Sequence, residues 1–236
     1  MKIRLFTLPN ILTLLNLFCG SLAVISMISL QSNEALMVAF VLMLVSAVFD
    51  FLDGFAARLT KSYSALGVQL DSLADIVSFG LLPSIIALKL YHLAGGTGIW
   101  GIFTLLIVLF SALRLAKFNI DDSQKDGFTG LPTPANALLI GAVGYYVAKY
   151  NISFPEYAPW VIIGCSALLS YLLISPVRMF ALKFKGFGFR QNATQYVFLA
   201  VTAVFIIIFG LPGIAPAIIL YILTSLIMWL AAPKRA

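Results

Sequence analysis

Apolar segments long enough to cross a lipid bilayer follow one another through nearly the whole 236-residue chain. A transmembrane helix needs about 20 apolar residues. Eight segments approach that length: residues 9–30, 36–57, 69–90, 97–116, 133–150, 158–180, 194–210 and 214–231. Only 10% of the residues are charged, against about 25% in soluble domains. The sequence therefore predicts an all-α, polytopic transmembrane helix bundle of about eight spans, formed by residues 1–236 as a single membrane-embedded domain.

The basic residues favour one orientation of this bundle. Thirteen of the fifteen fall on one side of the predicted spans: Lys2, Arg4, Arg58, Lys61, Arg114, Lys117, Lys125, Arg178, Lys183, Lys185, Arg190, Lys234 and Arg235. Lys89 and Lys149 fall on the other side. Because basic residues concentrate in cytoplasmic loops, both termini are expected to be cytoplasmic. The net charge of +6 then reflects topology and contact with anionic lipid headgroups, and no nucleic-acid partner is expected.

Four of the nine acidic residues lie together at one end of two neighbouring spans, in the stretch VFDFLDGFAARLTKSYSALGVQLDSLADIVSFG, residues 48–80. Asp50 and Asp53 end the second span, and Asp71 and Asp75 begin the third. Spacings of three and four residues place each pair on one helix face. The short connection between the spans makes them antiparallel neighbours. The four carboxylates are therefore expected to converge near the cytoplasmic headgroup level.

Four adjacent carboxylates repel one another unless they are protonated or neutralised by cations. Arg58 is the basic residue in closest reach along the sequence, followed by Lys61, so a deficit of positive charge remains. Mg²⁺ or Mn²⁺ would remove it, because these ions prefer oxygen ligands, and pairs of such ions are typical of phosphoryl transfer. Gly54 and Gly67 leave room beside the carboxylates for a large polar ligand. A proton or ion relay in a membrane transporter is the alternative from another class.

Eight residues of this stretch reproduce the spacing D-x2-D-G-x2-A-R-x8-G-x3-D-x3-D between residues 50 and 75. In this they resemble the CDP-alcohol phosphatidyltransferase family. The resemblance implies an integral membrane enzyme, usually a homodimer, with a six-helix core to which the last two spans are added. Such enzymes catalyse the attack of an alcohol on the diphosphate of a CDP-linked lipid, with release of CMP.

The resemblance also implies roles for individual residues. Four aspartates would hold two divalent metal ions, Mg²⁺ or Mn²⁺: Asp50, Asp53, Asp71 and Asp75. Asp75 would in addition be the base that takes the hydroxyl proton of the alcohol. The CDP-lipid would be bound by Gly54, Ala57, Arg58 and Gly67, with Asn10 as a further candidate. The expected location is the bacterial inner membrane, with the active site facing the cytoplasm.

Three other stretches, PNILTLLNLFCG, LRLAKFN and FTGLPTPANA, resemble the serine-using branch of this family. The resemblance implies CDP-diacylglycerol and L-serine as substrates and phosphatidylserine as the product. Thr133 and Asn136 could hydrogen-bond a small polar alcohol. Arg114 and Lys117 could bind lipid phosphate or the serine carboxylate, although basic residues there are also topology signals.

Several alternatives stay open. The acceptor alcohol could be glycerol phosphate, inositol phosphate or choline, the lipid could be of the archaeal type, and a catalytically silent member of the family is conceivable. The one histidine, His92, falls on the opposite side of the predicted membrane from the aspartates. A mechanism that uses a pair of histidines is therefore excluded.

Overall fold

The computed structural model describes residues 5–30, 33–120, 129–180 and 192–231. The helices are α1 (Leu8–Ser29), α2 (Glu34–Leu59), α3 (Ala65–Asp75), α4 (Leu82–Leu93), α5 (Leu106–Ile120), α6 (Thr133–Tyr150), α7 (Ala158–Ile174), α8 (Ala193–Phe209) and α9 (Ile214–Ala231). A π-helical segment, Ile76–Leu81, joins α3 to α4, and 3₁₀ segments, Gly98–Leu105 and Leu211–Gly213, precede α5 and α9. No β-strand occurs within the described ranges, where Thr129 and Arg178 form one antiparallel bridge. The predicted all-α class is confirmed.

Some predictions concern residues outside these ranges. They are the positions of Lys2, Arg4, Lys125, Lys183, Lys185, Arg190, Lys234 and Arg235, and most of the two longer loops, residues 121–128 and 181–191.

The helix lengths are consistent with an integral membrane protein. By length and composition, five continuous helical stretches could cross a bilayer: Leu8–Ser29, Glu34–Leu59, Ala65–Leu93, Gly98–Ile120 and Leu211–Ala231. Two apolar helices are shorter, Ala158–Ile174 and Gln195–Phe209. A polytopic helix bundle is therefore supported, and the count of eight spans stays a prediction.

Helix α6 lies in the middle of the bundle. Ten of its 18 residues are buried, and it packs against α2, α4, α7 and α9. Phe40 of α2 is fully buried, and its ring lies so close to Gly141 that a Cβ at that glycine would collide with it. Small residues at helix contacts permit such close approach within membranes. This packing fixes α2, and with it the aspartates at its end, relative to the rest of the bundle.

The third predicted span, 69–90, is observed as one continuous helical stretch over residues 65–93 with a π-helical segment inside it. Ser64 caps its start, since the Ser64 hydroxyl accepts a hydrogen bond from the Gly67 backbone N–H at 3.0 Å. The π-helical segment begins directly after Asp75 and packs against α1, α5 and α6. Single π-helical turns inside α-helices occur frequently at functional sites.

The prediction of a helix over 158–180 is wrong at its end, because α7 stops at Ile174. Pro176 follows, and the residue before a proline favours extended backbone. Ser175 accordingly has ψ 155°. The chain then pairs with the segment that enters α6: the Gly130 N–H donates to the Val177 carbonyl at 2.9 Å. This pairing fixes the start of α6, where two of the predicted site residues lie.

Candidate active site

The carboxylates of Asp50, Asp53 and Asp71 meet at one point, with one oxygen atom of each lying within 4.8 Å of the others. The last turns of α2 supply the first two, and α3 supplies the third. Asp75 lies one turn further along α3 and only 7% of its surface is exposed. It is outside this three-carboxylate group, but Asp50 interacts with both Asp71 and Asp75. Three of the four aspartates therefore converge as predicted, and the fourth borders them.

This donor set fits a hard divalent cation. Three carboxylates held this close would repel one another strongly, and each is at least partly buried, so water screens the repulsion poorly. Mg²⁺ and Mn²⁺ bind through carboxylate oxygens. The cluster thus has the ligand chemistry expected for the metal site that the sequence predicts.

A pocket of about 170 Å³ opens between α1, α2 and α3 beside the cluster. Its lining residues are Pro9, Asn10, Thr13, Asp53, Gly54, Ala57, Ser62, Tyr63, Ser64, Gly67, Val68 and Asp71. A Cβ at Gly54 would meet no atom within 4 Å, whereas a Cβ at Gly67 would lie 3.2 Å from the Ser64 hydroxyl. Gly54 therefore faces open space and is not required for packing. Arg58 is exposed on the last turn of α2.

Helix α1 supplies polar partners that the sequence analysis missed. The Thr13 hydroxyl donates to Asp53 Oδ2 at 2.6 Å, and Asn16 Nδ2 donates to Asp75 Oδ1 at 3.3 Å. Asn10, which was predicted, lines the pocket, and its amide donates to the Leu5 carbonyl at 2.8 Å. Three polar residues repeating at three-residue intervals within an apolar span were the signal that could have identified all of them.

The residues predicted to bind the alcohol come from α5 and α6. Arg114 Nη1 donates to the Thr133 hydroxyl at 3.4 Å, and Arg114 also lies within electrostatic range of Asp75. Asn136, one turn after Thr133, is fully buried. Within the described part of the chain, neither polar atom of its side chain has a hydrogen-bond partner. Lys117 is exposed, so it does not join this contact.

Comparisons with known proteins place the chain beside one family. The family model described as CDP-alcohol phosphatidyltransferase matches residues 6–172, a range that holds α1–α6 and nearly all of α7. Helices α8 and α9 lie beyond it.

Three relatives illustrate the similarity. A CDP-diacylglycerol–serine O-phosphatidyltransferase of Helicobacter pylori is 29% identical over 229 residues, which cover 96% of this chain and 92% of that protein. An enzyme of the same name from Bacillus subtilis is 32% identical over 173 residues, covering 72% and 88%. An archaetidylserine synthase of Methanothermobacter thermautotrophicus is 34% identical over 165 residues, covering 69% and 66%.

The family model spans more than half of the chain and includes the whole carboxylate cluster and pocket. The chain therefore belongs to the CDP-alcohol phosphatidyltransferase family.

Proposed function

We propose that this protein transfers the phosphatidyl group of CDP-diacylglycerol to the hydroxyl of L-serine, releasing CMP and forming phosphatidylserine. The observation that carries the proposal is the cluster of three carboxylates opening onto a glycine-lined pocket at one end of the helix bundle. Relatives that are named for the serine reaction and resemble the chain over most of its length support the choice of acceptor.

On the donor side, the cytidine diphosphate would occupy the pocket between α1, α2 and α3, and the acyl chains would remain in the bilayer. Gly54 leaves the space, while Asn10, Ala57 and Gly67 form the walls. Asp50, Asp53 and Asp71, together with Asp75, would hold two divalent ions. When bound, Mg²⁺ or Mn²⁺ would neutralise the diphosphate and the departing CMP.

On the acceptor side, the serine hydroxyl oxygen would attack the phosphorus atom that carries the diacylglycerol. The bond from that phosphorus to the CMP oxygen breaks, and Asp75 takes the hydroxyl proton. Arg114, which lies near Asp75, would bind the serine carboxylate, and Thr133 would hold the guanidinium group. Asn136 would contact the same substrate. Lys117, exposed one turn further along α5, would attract anionic lipid at the membrane surface.

The proposal includes an orientation, with eight spans and both termini and the active site on the cytoplasmic face of a bacterial inner membrane. Arg58 and Lys61 lie at the aspartate end of α2. Lys89, near the end of α4, lies at the opposite end of the helix bundle. There its ammonium group donates to the carbonyl of Leu30, just past α1, at 3.2 Å. This distribution of charge supports the orientation.

We also propose that residues 1–236 act as one domain, because α9 packs against α6 and α8. A homodimer stays a prediction from the family resemblance.

The experiment that tests the proposed function supplies purified protein with CDP-diacylglycerol, Mg²⁺ or Mn²⁺, and one alcohol at a time. The panel contains L-serine, glycerol 3-phosphate, inositol phosphate and choline, and CMP release is measured. Release that depends on L-serine supports the proposal. Release with another alcohol alone would assign a different acceptor within the family, and release with none would contradict the transferase activity.

Gly54→Leu is expected to block the nucleotide pocket without disturbing the fold, because Gly54 faces open space. Binding of labelled CDP-diacylglycerol in the presence of Mn²⁺ should weaken by at least about tenfold, or 1.4 kcal/mol. Gly164→Leu is the matched control, since that glycine is exposed on α7 and a Cβ there also meets nothing within 4 Å. Equal binding by both variants would place the nucleotide elsewhere.

Arg114→Ala is expected to impair the use of L-serine much more than the binding of CDP-lipid. A hydrogen bond to a charged group contributes about 1.5–3 kcal/mol, so kcat/KM for L-serine should fall by about 10- to 150-fold. Arg178→Ala, which removes an exposed arginine, serves as the control. If Arg114→Ala weakens CDP-lipid binding to the same extent, Arg114 contacts the diphosphate instead.

Cysteine labelling tests the orientation. Cys19 and Cys165 are first replaced by alanine, and single cysteines are introduced at the exposed residues Lys61 and Asn151. In intact cells, a membrane-impermeant maleimide should label the cysteine at 151 and should reach the one at 61 only after the cells are permeabilised. The opposite pattern would place the aspartates outside the cell and contradict the proposed topology.

A further inference from the structure

Asn16 contacts the site through Asp75 and is held in place from several directions. It is fully buried in the middle of α1. Its backbone carbonyl accepts hydrogen bonds from the Ser46 hydroxyl at 3.1 Å and from the Ser78 hydroxyl at 3.2 Å. Gly20, one turn later, allows α1 to approach Ser78, since a Cβ there would collide with that side chain. Helix α2 and the π-helical segment thus fix this turn of α1.

The neighbouring carboxylate determines which way the Asn16 amide points. Asn16 Nδ2 donates to Asp75 Oδ1 at 3.3 Å, and an ionised carboxylate can only accept hydrogen bonds. The NH₂ group must therefore face Asp75, and the amide oxygen faces away from it. That oxygen, Oδ1, is buried, and none of the described residues donates a hydrogen bond to it. Buried amide oxygens are normally paired, so this atom has the character of a ligand contact.

The proposed acceptor has three polar groups, and each needs a different partner. Its hydroxyl gives a proton to Asp75, and its carboxylate binds Arg114, which lies near Asp75. The ammonium group remains, and it requires a hydrogen-bond acceptor. Asn16 Oδ1 shares its amide carbon with the Nδ2 atom that contacts Asp75, so it is one amide group away from the base that takes the hydroxyl proton. In L-serine the carbon that carries the ammonium group is bonded directly to the hydroxymethyl carbon, so the ammonium group is close to the reacting hydroxyl.

We propose that Asn16 is the residue that selects an acceptor with an amino group, an inference that rests on the proposed function. Its NH₂ group positions Asp75, and its Oδ1 accepts a hydrogen bond from the substrate ammonium group. Specificity of this kind depends on a buried polar atom that stays unpaired when the wrong substrate binds.

The test compares L-serine with 3-hydroxypropionate, which has the hydroxyl and the carboxylate but no amino group. Asn16→Ala and Asn16→Leu both remove the acceptor oxygen. Either variant can be used for the kinetic comparison if it still binds labelled CDP-diacylglycerol with Mn²⁺, which shows that it is folded. The KM for L-serine is expected to rise by about 10- to 100-fold. The KM for 3-hydroxypropionate should change by less than about threefold, so the preference for the amino acid is lost. In both variants kcat should fall with either acceptor, because Asp75 loses its positioning contact.

Two further variants sharpen the result. Asn16→Asp keeps a side-chain oxygen and should retain the preference for L-serine while lowering kcat. Ser46→Ala removes one hydrogen bond to the Asn16 backbone and should leave the preference unchanged. Equal losses for both acceptors in Asn16→Ala or Asn16→Leu would overturn the proposal. So would a loss of preference in Asn136→Ala alone, which would assign the ammonium contact to α6.

The outcome for wild-type protein separates this inference from the proposed function. If the wild type prefers L-serine but the Asn16 variants keep that preference, only the inference fails. If the wild type uses an alcohol without an amino group, both fail.

Discussion

Asp71→Asn is expected to abolish CMP release while the helix bundle stays folded. Asp71 is one of the three carboxylates within 4.8 Å of one another, and a neutral amide removes one negative ligand from the set. Loss of an outer-shell partner of a metal costs about 10- to 100-fold, so loss of a direct ligand should exceed about 100-fold. Burying an amide in place of a carboxylate costs less desolvation free energy, so the fold should tolerate the change.

Metal binding gives this prediction a second readout that does not depend on activity. A ligand that binds only the folded state raises thermal stability, so Mn²⁺ should raise the Tm of the wild type in detergent and have little effect on Asp71→Asn. Glu34→Gln, at the other end of α2, is the matched control and should behave as wild type. Chelation should inactivate the wild type, and Mg²⁺ or Mn²⁺ should restore it. Full turnover in chelator would contradict a metal-dependent mechanism.

Asp75→Asn is expected to separate chemistry from binding. Asp75 is buried outside the three-carboxylate group and is hydrogen-bonded by Asn16, as suits a proton acceptor placed beside the metal site. With Mn²⁺ present, binding of CDP-diacylglycerol should persist, while kcat falls by at least about 100-fold, the low end for loss of a general base. Asp71→Asn should lose both properties. If Asp75→Asn also loses both, Asp75 is primarily a metal ligand.

The sequence could predict the helices because hydropathy and helix length are local properties. Both ends of the second span lie within two residues of the prediction. The sixth span was predicted six residues too long because Val177, Met179 and Phe180 extend the apolar pattern beyond α7. The helix instead ends at Ile174, since Pro176 favours extended backbone at Ser175. The π-helical segment has no signature in the hydropathy, since its residues resemble their α-helical neighbours.

The acidic part of the site could be predicted because four aspartates at fixed spacing on two consecutive spans can meet in few ways. The partners of these aspartates could not be predicted so readily. Thr13 and Asp53 are 40 residues apart, and Asn16 and Asp75 are 59 residues apart. Such contacts depend on how α1 packs against α2 and α3, which is a matter of tertiary structure. Likewise, only packing decides which three of the four carboxylates lie within 4.8 Å of one another.

The most direct test of the central claim follows both products of one reaction. Purified protein is incubated with CDP-diacylglycerol, labelled L-serine and Mg²⁺ or Mn²⁺, and released CMP is compared with label that enters the lipid fraction. The account predicts equal molar amounts of the two, both lost in chelator and in Asp71→Asn. CMP release without incorporation of serine into lipid would indicate hydrolysis of the CDP-lipid and would contradict the account.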